Sequence, residues 1–178
     1  MGLAVVHGIV ESHHGYIHVD SQVGEGTRFQ IYMPLTCDEV PTVVAANGPL
    51  PEGSERILFV DDEEDLTLWA EELFLQQGFR PTCCVNSPEA LAMLRADPQS
   101  FDLLITDQSM PELSGLELIA EAKKIRPDLP VILCSGFSTR VTSESAKRLG
   151  INHFFNKPYQ EDQLLTAVRH CLDTAALA

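Results

Sequence analysis

No apolar run in this 178-residue sequence approaches the roughly 18 residues of a membrane-spanning helix, and no charged-then-apolar leader opens it. Basic charge is scarce: 12 Lys and Arg against 26 Asp and Glu leave a net charge of −14. Such a surface repels phosphate backbones, and with no local basic patch nucleic-acid binding is excluded as an expectation. The five cysteines, Cys37, Cys83, Cys84, Cys134 and Cys171, include no C-x-x-C pair, and their odd number argues against a disulfide framework. Cys83 and Cys84, as neighbours on a strand, point to opposite faces and chelate poorly. These absences lead to the expectation of a cytoplasmic chain with reduced thiols and no direct membrane contact. The hydrophobic share, 44%, is that of a folded protein.

What is present is organised around FDLLITDQSMPELSG, residues 101–115. The run Leu103, Leu104, Ile105 ends at Asp107, and a Met-Pro pair and a Gly follow, as where a buried strand delivers an acid to a loop. Asp61 and Asp62 end another apolar run, Ser135 a third, and Lys157-Pro158 a fourth. From Glu55 onward, runs near Ile57, Phe79, Leu103, Val131 and Ile151 each precede a helical stretch. Leu66, Trp69, Ala70, Leu73 and Phe74 form one helix face. Leu118, Ile119, Ala122 and Ile125 form another, and Leu164, Leu165, Val168 and Leu172 the last. Ser87-Pro88-Glu89 reads as a helix start with a capping Ser, and Gly78, Pro127 and Gly150 as helix ends. Strands alternating with helices predict an α/β fold, a flavodoxin-like (βα)5 doubly wound parallel sheet. Pro81 marks the second strand as an edge, which fits the order 2-1-3-4-5. In that order the ends of strands one and three meet in the crevice, and Asp61, Asp62 and Asp107 converge.

Crowded carboxylates repel unless a cation neutralises them, and a hard ion such as magnesium suits that donor set. With Lys157 as a fixed positive charge and Ser135 as a hydroxyl donor, the set suits phosphoryl transfer to a carboxylate, and Asp107 is the expected nucleophile.

Ahead of this lies a separate piece. Leu3, Val6, Ile9 and Val10 recur at helical spacing up to His14-Gly15, and strands at 16–20 and 27–33 flank the turn Gly24-Glu25-Gly26. His13-His14 reads as a polar helix end suited to the helix dipole. A unit this small seldom folds alone. Residues 1–36 resemble the last part of the ATP-binding domain of sensor histidine kinases: Met1-Gly2-Leu3 is similar to the tail of the second glycine box, and Gly24-Glu25-Gly26-Thr27-Arg28-Phe29 to the third. The segment with the phosphorylated histidine, the asparagine box and the first glycine box are missing. The resemblance therefore implies a remnant without kinase activity, with Gly2, Gly24 and Gly26 as relics of nucleotide binding, and a chain that begins inside a longer hybrid kinase. Residues 37–54, with three prolines and two glycines, read as a linker.

Residues 55–178 resemble the receiver domain of two-component response regulators, with VDDEE, LITDQSMPELSG, VILCSG and FFNKP standing in the family's order. The resemblance implies Asp107 as phosphoacceptor and Asp62 as a direct magnesium ligand with Asp61 in support. The backbone carbonyl of Ser109 completes the protein ligands. Lys157 and Ser135 would contact the phosphoryl group, and Phe154 would be an aromatic switch towards the surface of the receiver's fourth helix, fifth strand and fifth helix. Ser135 stands where Thr is frequent and Phe154 where Tyr is frequent. The implied partners are a histidine kinase core or a histidine phosphotransfer protein.

Each motif alone has a plain structural reading: an acidic helix start, a common Lys-Pro turn, a Ser-Gly loop, a core Phe. Four of them in order, each at a strand end, carry the inference. Two other functions compete. An aspartyl-nucleophile phosphatase would want a second Asp where Ser109 stands, and a cap; a phosphorylation-independent interaction module would not need the complete set of acids, Ser and Lys.

Overall fold

The structure, a computed structural model, describes residues 2–34, 50–136 and 149–177. The chain divides into two compact units, Met1–Val44 and Ala45–Ala178. Cys37, most of the linker and the helical stretch expected after the fourth run lie outside the described residues.

In the first unit, α1 (Gly2–Ser12) precedes an antiparallel hairpin of β1 (Tyr16–Gln22) and β2 (Gly26–Tyr32). Gly15 is required where the chain leaves the helix: a Cβ there would stand 2.8 Å from the Tyr32 carbonyl oxygen. Gly24 and Gly26 have φ of 87° and 105°, so the hairpin turn alone accounts for both glycines. Val10 is buried, while Val19, Phe29 and Ile31 of one hairpin face are largely exposed.

In the second unit, β3 (Arg56–Val60), α2 (Glu64–Gln76), β4 (Arg80–Cys84), α3 (Ser87–Ala96), β5 (Leu103–Asp107), α4 (Gly115–Ile125), β6 (Val131–Ser135), β7 (His153–Asn156) and α5 (Glu161–Ala176) follow one another. The five strands form one parallel sheet in the order β4-β3-β5-β6-β7. This is the expected flavodoxin-like order, with the Pro-bearing strand β4 at the edge. Every residue of β5 and β6 is buried, because helices cover both faces. Ile57, Phe59, Leu103 and Ile105 pack with α2 and α5; Leu58, Val60, Leu104 and Leu133 pack with α3 and α4. Phe74 meets Phe79 edge-on at 6.1 Å between ring centroids. Each such side chain contributes about 1.5–3 kcal/mol on burial.

Two local readings change. The cap of α3 is Asn86, whose side chain accepts from the Glu89 N–H at 2.9 Å. Ser87 is already helical, and its hydroxyl donates to the Leu113 carbonyl at 2.7 Å. In α2 the buried turn uses Thr67 rather than Leu66. The Thr67 hydroxyl satisfies itself on the Glu64 carbonyl, which lets a polar residue take a core position.

Candidate functional site

Backbone pairing runs one residue past β3, β5 and β7 and so fixes where the polar groups leave the sheet. Asp61 N–H donates to Cys84, Gln108 N–H to Cys134 and Lys157 N–H to Ser135, at 3.1, 2.8 and 2.7 Å. Asp61, Asp107, Ser135 and Lys157 thus stand side by side at the carboxyl edge.

The side chains meet on Lys157. Its Nζ lies 2.7 Å from Asp61 Oδ2 and 2.7 Å from Asp107 Oδ1, with Glu63 Oε1 farther off at 3.7 Å. The remaining oxygens take backbone donors: Asp61 Oδ1 accepts from Glu63 N–H at 3.1 Å, and Asp107 Oδ2 from Ser109 N–H at 2.6 Å. Asp61 is fully buried and Asp107 is 5% exposed. Burial raises the pKa of Asp61, against the pull of Lys157 and the Glu63 N–H. Burial works against the Lys157 charge as well, but hydrogen bonds to Asp107 and Asp61 outweigh it and hold the ammonium above its ordinary value. Two buried carboxylates share one cation. The cluster is therefore one negative charge in excess, and such an excess draws a cation or an electrophile.

The other expected residues take different places. Asp62 is exposed, as are Glu63, Glu64 and Asp65, and the ion pairs draw on Asp61 rather than on Asp62. Ser135 is buried and its hydroxyl donates to the Gly136 carbonyl at 3.0 Å. Ser109 is exposed and contributes its N–H to Asp107. Phe154 is half-buried against the α3 and α4 side of the sheet. Among the described residues no group of three or more His, Cys, Asp or Glu forms a ready-made metal cage.

Sequence reasoning missed the residues that hold the loop after Asp107. Met110 is buried and takes a contact from the Ser87 hydroxyl, and that hydroxyl also ties down Leu113. Ser114 and Glu117 cap α4 reciprocally. Gly115 N–H donates to the Gln108 carbonyl at 3.0 Å, and a Cβ at Gly115 would overlap the Asp107 carbonyl oxygen. Only the spacing of a Gly eight residues beyond Asp107 hinted at this. Gly115→Ala is therefore expected to cost about 1–3 kcal/mol through overpacking against backbone and to lower the melting temperature. Thermal unfolding checks it; a melting point equal to that of wild type would show that the loop yields freely.

The family model described as the response regulator receiver domain matches residues 57–169. The sensor kinase CckA of Brucella abortus is 29% identical over 97% of this chain and 19% of its own length. The autoinducer 2 sensor kinase/phosphatase LuxQ of Vibrio cholerae is 28% identical over 96% and 20%. The chain thus spans about a fifth of the length of these two relatives. Among solved structures, a response regulator receiver domain protein from Clostridium thermocellum superposes with a TM-score of 0.66 at 28% identity, covering 69% of this chain and 98% of its own.

Proposed function

The chain belongs to the response regulator receiver family, and on that premise we propose that Asp107 accepts a phosphoryl group from a phosphohistidine of a histidine kinase core or a histidine phosphotransfer protein. The observation that carries this reading is the buried carboxylate at the end of β5 held by Lys157, which is shared with Asp61. In the transfer, an Asp107 oxygen forms the new P–O bond as the P–N bond to the imidazole breaks. Lys157 stays beside the transferring group and offsets its charge, and the Ser135 hydroxyl supplies a donor once the acyl phosphate exists.

The donor set fits magnesium. It consists of hard carboxylate oxygens, with Asp61 and Asp107 gathered and Asp62 exposed beside them, and the ion characteristically uses one or two carboxylates and keeps waters instead of filling an all-protein cage. Asp61, Asp62, Asp107 and the Ser109 carbonyl would hold it. When bound it supplies positive charge to the phosphoryl oxygens.

Millimolar magnesium is expected to raise the melting temperature of the wild type, since a ligand that binds only the folded state stabilises it. Asp62→Ala is expected to remove most of that rise. An unchanged rise in the variant would place the ion elsewhere.

The match to both sensor kinases extends over nearly the whole chain, which supports reading residues 1–36 as the end of a kinase ATP-binding domain, 37–54 as a linker and 55–178 as the receiver of a hybrid histidine kinase. Residues 1–36 lack the other boxes of that domain, so the kinase activity would belong to a longer parent. Among the described residues no helix is long and apolar enough to cross a membrane, in keeping with a site that works in the cytoplasm.

A further inference from the structure

On the α2 side of the site lies a cavity of about 1040 Å³, open to solvent, lined among others by Leu66, Trp69, Lys157, Tyr159 and Glu161. It shares Lys157 with the phosphoryl site, so one of its walls is a group whose partner changes when Asp107 is modified. Tyr159 stands two residues beyond that lysine. Its ring lies 5.4 Å from Phe155 and 6.3 Å from Trp69, centroid to centroid. The Trp69 indole N–H in turn donates to Glu161 Oε1 at 3.2 Å. A row of aromatic rings therefore joins the loop of Lys157 to α2, where Trp69 is half-buried against the core.

The Tyr159 hydroxyl supplies a second, independent observation. It is buried beside the Cys134 thiol, and Cys134 pairs in register with Asp107.

We propose that Tyr159 couples the phosphorylation state of Asp107 to the α2 surface that carries Trp69. The proposal rests on the phosphoryl-acceptor reading above. When an Asp107 oxygen is phosphorylated, Lys157 exchanges a carboxylate oxygen for a phosphoryl oxygen, the loop follows its ammonium, and Tyr159 moves against Trp69. The receiver thereby presents a changed face on α2, in addition to the switch expected at Phe154.

Trp69 is the single tryptophan of the chain, so its emission reads this face without any label. The full chain is incubated with acetyl phosphate and magnesium, with magnesium alone as the baseline. Emission and intact mass are followed together in wild type, Asp107→Ala, Tyr159→Phe and Tyr159→Leu. The expected result is an emission change that grows with the phosphoryl adduct in wild type, is absent in Asp107→Ala, persists in Tyr159→Phe, and is lost in Tyr159→Leu although the adduct still forms. An adduct on wild type without any emission change overturns the coupling while leaving the acceptor reading intact, and so does a full change in Tyr159→Leu. Should Tyr159→Leu not fold, Tyr159→Met takes its place, with the same loss expected and a full change overturning the coupling. No adduct on wild type removes the acceptor reading, and the coupling falls with it.

Discussion

Asp107→Ala is expected to form no phosphoryl adduct with acetyl phosphate and magnesium under conditions that modify the wild type. The loss is chemical and not structural. Lys157 keeps its 2.7 Å contact with Asp61, the loop that follows is still held through Ser87 and the Ser114 cap, and the substitution removes one of two mutually repelling carboxylates. Melting temperature therefore stays near that of wild type, and circular dichroism keeps its α/β shape. With the proposed nucleophile gone no neighbour replaces it. Asp61 is buried and bound to Lys157 and the Glu63 N–H, while Asp62 is exposed on the solvent side. A labile adduct persisting on Asp107→Ala at the wild-type rate would sink the assignment.

Lys157→Met is expected to have the largest effect on stability. Methionine keeps most of the side-chain length but leaves Asp61 and Asp107 buried together without their cation. Breaking a buried charge cluster by removing one partner costs about 3–5 kcal/mol. The pH dependence gives the mechanism away. The Lys157 pKa is raised in the folded state, so its contribution is complete below its ordinary 10.5 and is lost only above that. Asp61 is raised too, by burial. Its contribution is complete below its ordinary 3.8 and is lost as pH rises through the folded value. Without Lys157 the main pull lowering Asp61 disappears, so the ionised form becomes more costly. The gap in melting temperature between wild type and Lys157→Met, measured in a chelator, should therefore narrow as pH falls from neutral towards the carboxylate range. A gap that is constant or widens on acidification would mean that Lys157 acts through packing and not through charge.

Much of this was legible in the sequence because strands buried on both faces write themselves as unbroken apolar runs. Each run here ends in a polar group that has no place inside the sheet. The edge position of β4 followed from Pro81, which has no N–H to give to a second neighbour. The division of labour between Asp61 and Asp62 was harder. They are adjacent in sequence, and only the direction in which the chain leaves β3 decides that Asp61 turns inward to Lys157 while Asp62 faces water. Ser87 had the sequence look of a cap, yet the hydroxyl serves a loop 26 residues away, a contact that no local pattern encodes. Gly115 looked like an ordinary loop end, and its real constraint is the Asp107 carbonyl packed against its Cα. The row from Tyr159 to Trp69 joins residues that are 90 positions apart in sequence. Local periodicity assigned each of them to its own element and no more.

The most direct test of the central claim is to locate the phosphoryl group. The full chain is incubated with acetyl phosphate and magnesium, the acyl phosphate is reduced with borohydride, and the peptides are sequenced by mass spectrometry. The structure predicts homoserine at position 107 and nowhere else. Homoserine at position 61 or 62 instead, or an unreduced chain that never carried the adduct, would contradict the account.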